Sequence, residues 1–365
     1  ARQGSRDWWL EANDYSPEYH NTNSLGYNSS QLVSVNASNN HYLYIAIRRP
    51  NKPYTTPTDL FKAFTQVGSS DQVTNWPVDL AITKTNITGT NNYLVDRARG
   101  PRSSMNTDND NMEFIGWTAG NVLDIDNSKG VGTPYWATTT NDPWTSHCFR
   151  RSPGFLDIVP YVGDGSASRS LSHKLGSKPG FMIIKNYSSS AASTSYWRTY
   201  HKELGATKTV VLSRNFGVNT LSSIFNNTEP TATNFTVGNN VNVNQYGAHY
   251  VAFLFGELDG VTKIGKYNGT SNNNVDVDCG FSALPRYILI RRAEVSQSAD
   301  WYVFDHANGI SAGNDGYWNY NTNGAVNYSN DYIDPHPNGT GFRVTSSAPS
   351  DLNQSGGTYI YIAIA

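Results

Sequence analysis

Leu284-Pro285-Arg286-Tyr287-Ile288-Leu289-Ile290-Arg291-Arg292 is the stretch that decides the fold, because the chain contains it in three versions. The earlier versions are Lys178-Pro179-Gly180-Phe181-Met182-Ile183-Ile184-Lys185-Asn186 and Trp76-Pro77-Val78-Asp79-Leu80-Ala81-Ile82-Thr83-Lys84. Their prolines are separated by 102 and 106 residues. A repeat of this length predicts an array of small domains rather than one catalytic fold, and such arrays commonly present binding surfaces.

A second repeated stretch closes each unit. Its copies lie at residues 41–47, 249–255 and 358–364, and the weakest copy is Trp144-Thr145-Ser146-His147-Cys148-Phe149. The strong copies are apolar at consecutive positions, whereas a strand with one face in water would alternate apolar and polar residues. We therefore expect the closing strand to lie centrally in its sheet, packed on both faces.

The composition predicts strands rather than helices. Charged residues make up 15% of the chain and aromatic residues 13%, with 31 glycines and long tracts of Asn, Ser and Thr. Aromatic and β-branched residues favour pleated sheets, and Gly or Asn at the paired turn positions allows tight hairpins. Each unit reads as seven or eight short antiparallel strands, so the predicted fold is all-β, in tandem antiparallel β-sandwich repeats. Only residues 58–64 read as a short helix, with Thr58 as its cap.

The repeat predicts four domains. These are a partial sandwich at 1–55, matching only the C-terminal half of a unit, and full sandwiches at 56–158, 159–264 and 265–365. Half a sandwich would leave an apolar face in water, which is costly. We therefore expect the missing strands to come from residues upstream of the chain, or alternatively from another polypeptide.

Charge and hydropathy argue against two classes of partner. The net charge of −2 gives no basic stripe for nucleic acid. The longest apolar runs are too short to span a bilayer, so no membrane insertion is expected. Cys148 and Cys279 occupy non-equivalent points of the repeat, and we expect both to be free thiols, buried or half-buried.

Catalytic and metal-binding patterns are weak. The histidines are scattered, and the chain has no nucleophile elbow of the Gly-x-Ser-x-Gly type. Residues 108–113 place acidic and amide side chains at alternating positions, as in a calcium loop, but lack the glycine and the spaced glutamate of an EF-hand. Solvated turns explain this segment and the similar residues 124–127. We therefore predict no catalytic residue, no metal site and no cofactor.

An aromatic, amide-rich segment of the last unit is the better candidate for a binding site. Its residues are Asp315, Tyr317, Trp318, Asn319 and Tyr320, read as a loop that the other units lack. Aromatic rings beside Asp and Asn suit a sugar, which offers apolar C–H faces and a ring of hydroxyl groups. The alternative is that Trp318 packs on the edge of the sandwich. Residues 15–20 form a weaker candidate of the same kind.

Five phrases of the sequence are distinctive. They are Gly-Ser-Lys-Pro-Gly-Phe-Met-Ile-Ile-Lys-Asn at 176–186, Asp-Trp-Tyr-Val-Phe-Asp at 300–305, Gly-Phe-Arg-Val at 341–344, Asn-x-Ser-Gly-Gly-Thr-Tyr-Ile-Tyr-Ile-Ala-Ile at 353–364, and Ile-Ala-Ile-Arg-Arg-Pro-Asn-Lys-Pro at 45–53. Together they resemble a repeated domain near the C-termini of tail-fibre and receptor-binding virion proteins of tailed bacteriophages, especially marine ones. The resemblance spans residues 7–365 and implies lectin-like β-sandwiches without an established catalytic motif.

This resemblance implies a structural protein at the surface of a phage particle, made in the host cytoplasm. The expected role is a tail-fibre or tail-associated adhesin that contacts a host-surface glycan or other virion proteins. We expect it to work as a homo-oligomer, most simply a trimer, because linked weak sites gain avidity. The alternatives are a head-decorating or fibre-shaft protein without a ligand and, in another class, a glycan-cleaving tailspike.

Overall fold

The computed structural model describes residues 7–9, 19–21, 53–67, 72–100, 103–115, 125, 130–132, 143–188, 195–294 and 297–365. The chain divides into two compact units, Ala1–Pro53 and Tyr54–Ala365. In the first unit, Asp7–Trp9 pairs antiparallel with Tyr19–Asn21. The rest of the predicted partial sandwich, including most of the candidate segment 15–20, lies outside the described residues.

Three six-stranded antiparallel sheets form the second unit, and all have the same strand order. In spatial order, the strands of the first sheet are Phe61–Val67, Pro143–Phe149, Leu80–Thr85, Tyr93–Asp96, Ser103–Asn106 and Phe114–Ile115. Those of the second sheet are Leu156–Val162, His249–Gly256, Pro179–Asn186, Arg198–His201, Lys208–Val211 and Asn219–Thr220. Those of the third sheet are Thr262–Asn268, Thr358–Ile364, Tyr287–Arg292, Tyr302–Asp305, Asp315–Asn319 and Asn327–Asn330. The all-β, sandwich-like class predicted from the sequence is therefore confirmed.

A smaller sheet accompanies each large one. The pairs are Gln72–Val73 with Gly130–Val131, and Arg169–Ser172 with Asn234–Val237, while Val275–Asp278, Gly341–Val344 and Ile333–Pro335 form a three-stranded sheet. Among the described residues, the helical segments are the 3-10 turn Pro57–Asp59 and the single-turn helices Ser222–Phe225, Val241–Asn244 and Ser350–Asn353. The helix expected at 58–64 is wrong beyond this turn: from Phe61 the chain is a strand whose first half alternates buried and half-buried residues.

The closing strand is the second of six in each large sheet and pairs on both sides, so it is interior, as expected from its sequence. In the third sheet, Thr358–Ile364 pairs with Thr262–Asn268 on one side and Tyr287–Arg292 on the other. One face of the strand packs with Tyr359, Tyr361 and Ala363 against the small sheet. The other face packs with Ile360, Ile362 and Ile364 into a different core. Burial of both faces explains why consecutive residues of this strand are apolar.

That second core is shared by all three sheets. Equivalent positions of the three closing strands, among them Phe149, Phe255 and Ile364, belong to one apolar cluster, which we call the shared core. The ring of Phe149 lies 5.7 Å from that of Phe255 and 5.8 Å from that of Tyr287. At the centre, residues of all three sheets line an apolar cavity of about 10 Å³. The sheets are therefore packed around a common centre rather than strung out as separate domains.

Contacts between neighbouring sheets run cyclically. Trp197 of the second sheet donates its indole N–H to the carbonyl of Asn109, and Trp301 of the third sheet donates to the carbonyl of Val211. Asn92, at the corresponding position of the first sheet, donates to the carbonyl of Asn319 at 3.0 Å, which closes the ring. This cyclic pattern gives Tyr54–Ala365 an approximate threefold arrangement within one chain.

The predicted limits of the three full domains stay a prediction. The structure shows three sheets within one compact unit. The predicted limits at 158/159 and 264/265 fall inside the strands Leu156–Val162 and Thr262–Asn268, which open the second and third sheets.

Candidate ligand-binding site

The residues predicted as an exposed loop form a strand instead. Asp315–Asn319 is the fifth strand of the third sheet, where the other sheets have Ser103–Asn106 and Lys208–Val211. The segment is therefore neither a loop nor unique to the last unit, and the loop assignment is wrong. Trp318 and Tyr320 are each 1% exposed and belong to the shared core. Asp315 is also buried, while Tyr317 and Asn319 are half-buried. The alternative, that Trp318 packs within the protein, is confirmed, although the side chain lies in the shared core rather than at the edge of a sandwich.

The local structure explains why these residues were wrongly predicted as a loop. Gly316 interrupts the register of the strand, and a Cβ at this position would lie 2.6 Å from the carbonyl oxygen of Asn308. Asp315 accepts hydrogen bonds from the backbone N–H groups of Ser311 and Ile333 at 3.1 and 2.9 Å. Burial raises the pKa of Asp315 to about 7. Asp, Gly and Asn usually indicate a loop, but here they serve a buried bulge.

The acidic segment 108–113 serves a junction between sheets. Asp110 accepts a hydrogen bond from the Ser213 hydroxyl at 2.5 Å and pairs with Arg214. Glu113 pairs with Arg99 at 3.0 Å. Within the described ranges, no group of three or more His, Cys, Asp or Glu side chains could hold a metal ion. Asp124 and Asp126, the weaker candidates, lie outside those ranges.

A histidine–aspartate pair links the first and third sheets. Nε2 of His147 lies 2.9 Å from Oδ2 of Asp305, and its Nδ1 lies 2.8 Å from the hydroxyl of Tyr320. Both side chains are fully buried, so no substrate reaches them in this conformation. The pair joins two sheets.

Phe61 and Ala365 lie at one end of the second compact unit, which we call the base. The guanidinium group of Arg286 donates to the carbonyl of Phe61, at the start of the first sheet, at 2.6 Å. It also donates to the carbonyl of Ala365, the last residue. We call the opposite end, where the closing strands begin, the tip.

Exposed apolar side chains concentrate at the tip. Among the described residues, the large apolar side chains exposed in tip strands and loops are Val67, Ile87, Met112, Val162, Phe216, Val241 and Tyr246. Tyr246 is the most exposed of them, at 83%. A surface that combines such residues with amide and carboxylate groups is typical of a recognition site.

Beside Tyr246, the turn 163–166 is held rigidly. Oδ1 of Asp164 accepts hydrogen bonds from the backbone N–H and hydroxyl of Ser166, at 2.9 and 2.6 Å, and from the side-chain amide of Asn244 at 2.9 Å. Asn244 is fully buried and also accepts from the backbone N–H of Asp164 at 3.0 Å. The hydrogen bonds from Ser166 and Asn244 lower the pKa of Asp164 to about 2, so the carboxylate is ionised at neutral pH.

Arg169 and Tyr246 flank this carboxylate. Nε of Arg169 lies 3.4 Å from Oδ2 of Asp164, and the guanidinium carbon lies 5.6 Å from the centre of the Tyr161 ring. A Cβ on Gly165 would lie 3.4 Å from Cβ of Tyr246, which places the tyrosine against the turn. The Asp164 side chain is 47% exposed, so its outer oxygen is open to solvent. We call Asp164, Arg169 and Tyr246 the hairpin site.

The third sheet repeats this scaffold without the hairpin-site side chains. There, Asn353 accepts from the backbone N–H of Thr270 at 2.8 Å, as Asn244 does from Asp164. Ser355 stands where the second sheet has Tyr246. Both stretches were predicted as hairpin turns, and the exposed tyrosine in only one of them was not recognised from the sequence. The signal was present in the sequence: an aromatic residue at a turn position that needs only a small polar one.

One family matches this chain. It is described as a domain of unknown function, DUF7483, and the match covers residues 138–365, more than half of the sequence. The chain belongs to this family. The family region includes the closing strand of the first sheet, all of the second and third sheets, and the hairpin site. No curated protein matches the chain. Among the described residues, no helix is long and apolar enough to cross a membrane.

Proposed function

We propose that this protein is a non-catalytic structural protein of a tailed-bacteriophage particle, of the tail-fibre type, whose tip contacts a host-surface glycan. The observation that carries the proposal is the polarity of the second compact unit. Of the eleven large apolar side chains exposed among its described residues, seven lie at the tip, and Tyr246 is the most exposed of them. A surface of this kind suits a protein that presents one end to a target.

The sequence phrases that resemble phage receptor-binding domains support the same role. The shared core supports it physically, because three sheets packed around one centre form a stiff support for short loops. We propose assembly into a trimer on the particle surface, since a shallow site of this kind gains from multivalency. The His147–Asp305 pair is fully buried, and the proposal gives it no catalytic role.

The test is to locate the chain in the intact particle and to block adsorption. Cryo-electron microscopy of the particle should place the chain on the tail, with the tip pointing outward. The purified full-length protein, added in excess, should compete with the particle for host cells. A chain found on the head, with no competition for adsorption, would favour the decorating alternative. Release of sugar fragments from purified host polysaccharide would favour the tailspike.

A further inference from the structure

The hairpin site has a feature that the fold does not require. The third sheet forms the same turn with Thr270 and Ser355, and the buried Asn353 holds it as Asn244 does in the second sheet. The second sheet places a carboxylate and a tyrosine at these positions, and the tyrosine is 83% exposed. Exposing an aromatic ring in water contributes nothing to folding. A role in binding accounts for its presence.

The geometry points to binding of a neutral pyranose, with Tyr246 against its C–H face and Asp164 accepting hydrogen bonds from two neighbouring hydroxyl groups. Oδ1 of Asp164 already accepts three hydrogen bonds from the protein, whereas Oδ2 has only Arg169 nearby. The free lone pairs of Oδ2 can accept from sugar hydroxyls. Arg169 supplies further N–H donors for a ring or hydroxyl oxygen.

The charge of the site selects among sugars. Asp164 stays ionised throughout the neutral pH range because its carboxylate is held by three donors. An anionic sugar at this position would bring a second carboxylate beside it, and like charges at contact distance repel. Arg169 does not offset this, because its nearest charged partner is Asp164 itself. A neutral hexose or N-acetylhexosamine is therefore the class that fits.

Rigidity makes the site suitable for a small ligand. Gly163 allows the two hairpins to approach closely, since a Cβ there would lie 2.0 Å from the carbonyl oxygen of Gln245. The backbone N–H of Gly247 in turn donates to the carbonyl of Gly163 at 2.9 Å. Little backbone entropy remains to be lost when a ligand binds, which favours affinity from few contacts.

The inference rests on the proposed glycan contact and is tested on the full-length protein without cells. Saturation-transfer NMR and calorimetry would use methyl glucoside, methyl galactoside, methyl mannoside and N-acetylglucosamine, with methyl glucuronide and N-acetylneuraminic acid as anionic probes. At least one neutral probe should bind, and the anionic probes should not. Tyr246→Ala and Asp164→Asn should each weaken binding by about tenfold or more.

Two further variants serve as controls. Tyr246→Phe keeps the ring and should retain most of the affinity, and Ser355→Ala, at the matching turn of the third sheet, should leave binding unchanged. Equal binding by the wild type and Tyr246→Ala, stronger binding of the anionic probes, or no binding of any neutral probe would overturn the inference. If Tyr246→Ala instead releases the chain from a virion protein, the site is a protein interface and the sugar assignment is wrong.

The same variants separate this inference from the proposed function. Sugar binding that is lost in Tyr246→Ala, while particles carrying that variant adsorb normally, would retain the hairpin site and overturn the host-attachment role. Normal sugar binding by Tyr246→Ala, combined with unchanged competition for adsorption by that variant, would retain the role and place the sugar site elsewhere on the tip.

Discussion

At the scale of single residues, each of the three large sheets buries a cation at the same position, and two of these cations bond to a neighbouring sheet. Lys84, Lys185 and Arg291 occupy the same position in their strands, and each is fully buried. Lys185 donates to the carbonyls of Asp110 and Ser195 at 3.0 and 2.5 Å, and Arg291 donates to the carbonyls of Val211 and Arg214 at 3.1 and 2.9 Å. Burial lowers the pKa of all three groups, because removing a charged group from water disfavours its protonated form.

Lys185 makes stability depend on pH. Burial lowers its pKa from 10.5 to about 7, so the folded protein loses this proton at lower pH than the unfolded chain. Between about pH 7 and 10.5, the unfolded chain therefore binds more protons at this residue, and Lys185 alone raises the free energy of unfolding with pH by at most about 1.4 kcal/mol per unit. Below pH 7 the full cost of burying the charge remains. Lys185→Met should reduce the slope of the free energy of unfolding against pH, measured by urea unfolding across this range. The part of the slope that remains belongs to groups such as Lys84, whose pKa burial lowers to about 8.

Lys185→Arg is the matched control, because the third sheet already uses Arg291 at this position. Arginine can keep the hydrogen bonds to carbonyls but stays charged across this pH range, so the variant should also reduce the slope. If both variants kept the slope of the wild type, Lys185 would not be the group that titrates.

Trp318 tests the position of the shared core. With the side chain 1% exposed, Trp318→Ala should lower the free energy of unfolding by about 3–5 kcal/mol because it leaves a large cavity. Thermal and urea unfolding would measure the loss. Val67→Ala, at a side chain that is 60% exposed, should change stability by less than about 0.5 kcal/mol. A Trp318→Ala protein as stable as the wild type would contradict the core assignment.

At the scale of elements, the strands follow local patterns, but their exceptions depend on neighbours. The closing strand was predictable because both of its faces are apolar. Residues 61–64 were predicted as part of a helix because a short apolar–polar pattern fits both a helix and a strand. The strand that pairs with them, Pro143–Phe149, lies far along the chain. The fifth strand of the third sheet was misread because Gly316 serves a close approach to Asn308 rather than a turn.

Gly316→Ala should destabilise the third sheet. The added Cβ would lie 2.6 Å from the carbonyl oxygen of Asn308, so the strand must shift at a cost of about 1–3 kcal/mol. Gly324 is the matched control, since a Cβ there would meet only the Thr322 hydroxyl at 3.7 Å. Urea unfolding of both variants would check this. Equal stabilities would show that the bulge can relax without cost.

At the scale of the whole molecule, the shared core makes the three sheets of the second compact unit interdependent. Each sheet buries one face against its own small sheet and the other against its neighbours. A sheet separated from the other two would expose the second face to water. The repeat therefore indicates three similar elements, but not three independent folding units.

This interdependence predicts one cooperative unfolding transition for residues 54–365. Leu94→Ala in the first sheet and Leu289→Ala in the third, both in the shared core, should each cost about 2–5 kcal/mol and shift the same transition. Hydrogen exchange followed by mass spectrometry should show protection falling in all three sheets in either variant. Loss of protection confined to the mutated sheet would show that the sheets unfold separately.

The sequence by itself determined the all-β class, the repeat and the interior closing strand, because periodicity and turn residues act over short distances. It also indicated that Cys148 and Cys279 are free thiols, buried or half-buried, and the structure shows both free and buried. Only the tertiary structure decided which aromatic residues face solvent. Trp318 and Tyr246 both stand among amide and glycine residues, yet one lies in the shared core and the other on the tip. The difference arises from which sheets pack together, and those contacts join residues more than a hundred positions apart, such as Asn92 and Asn319.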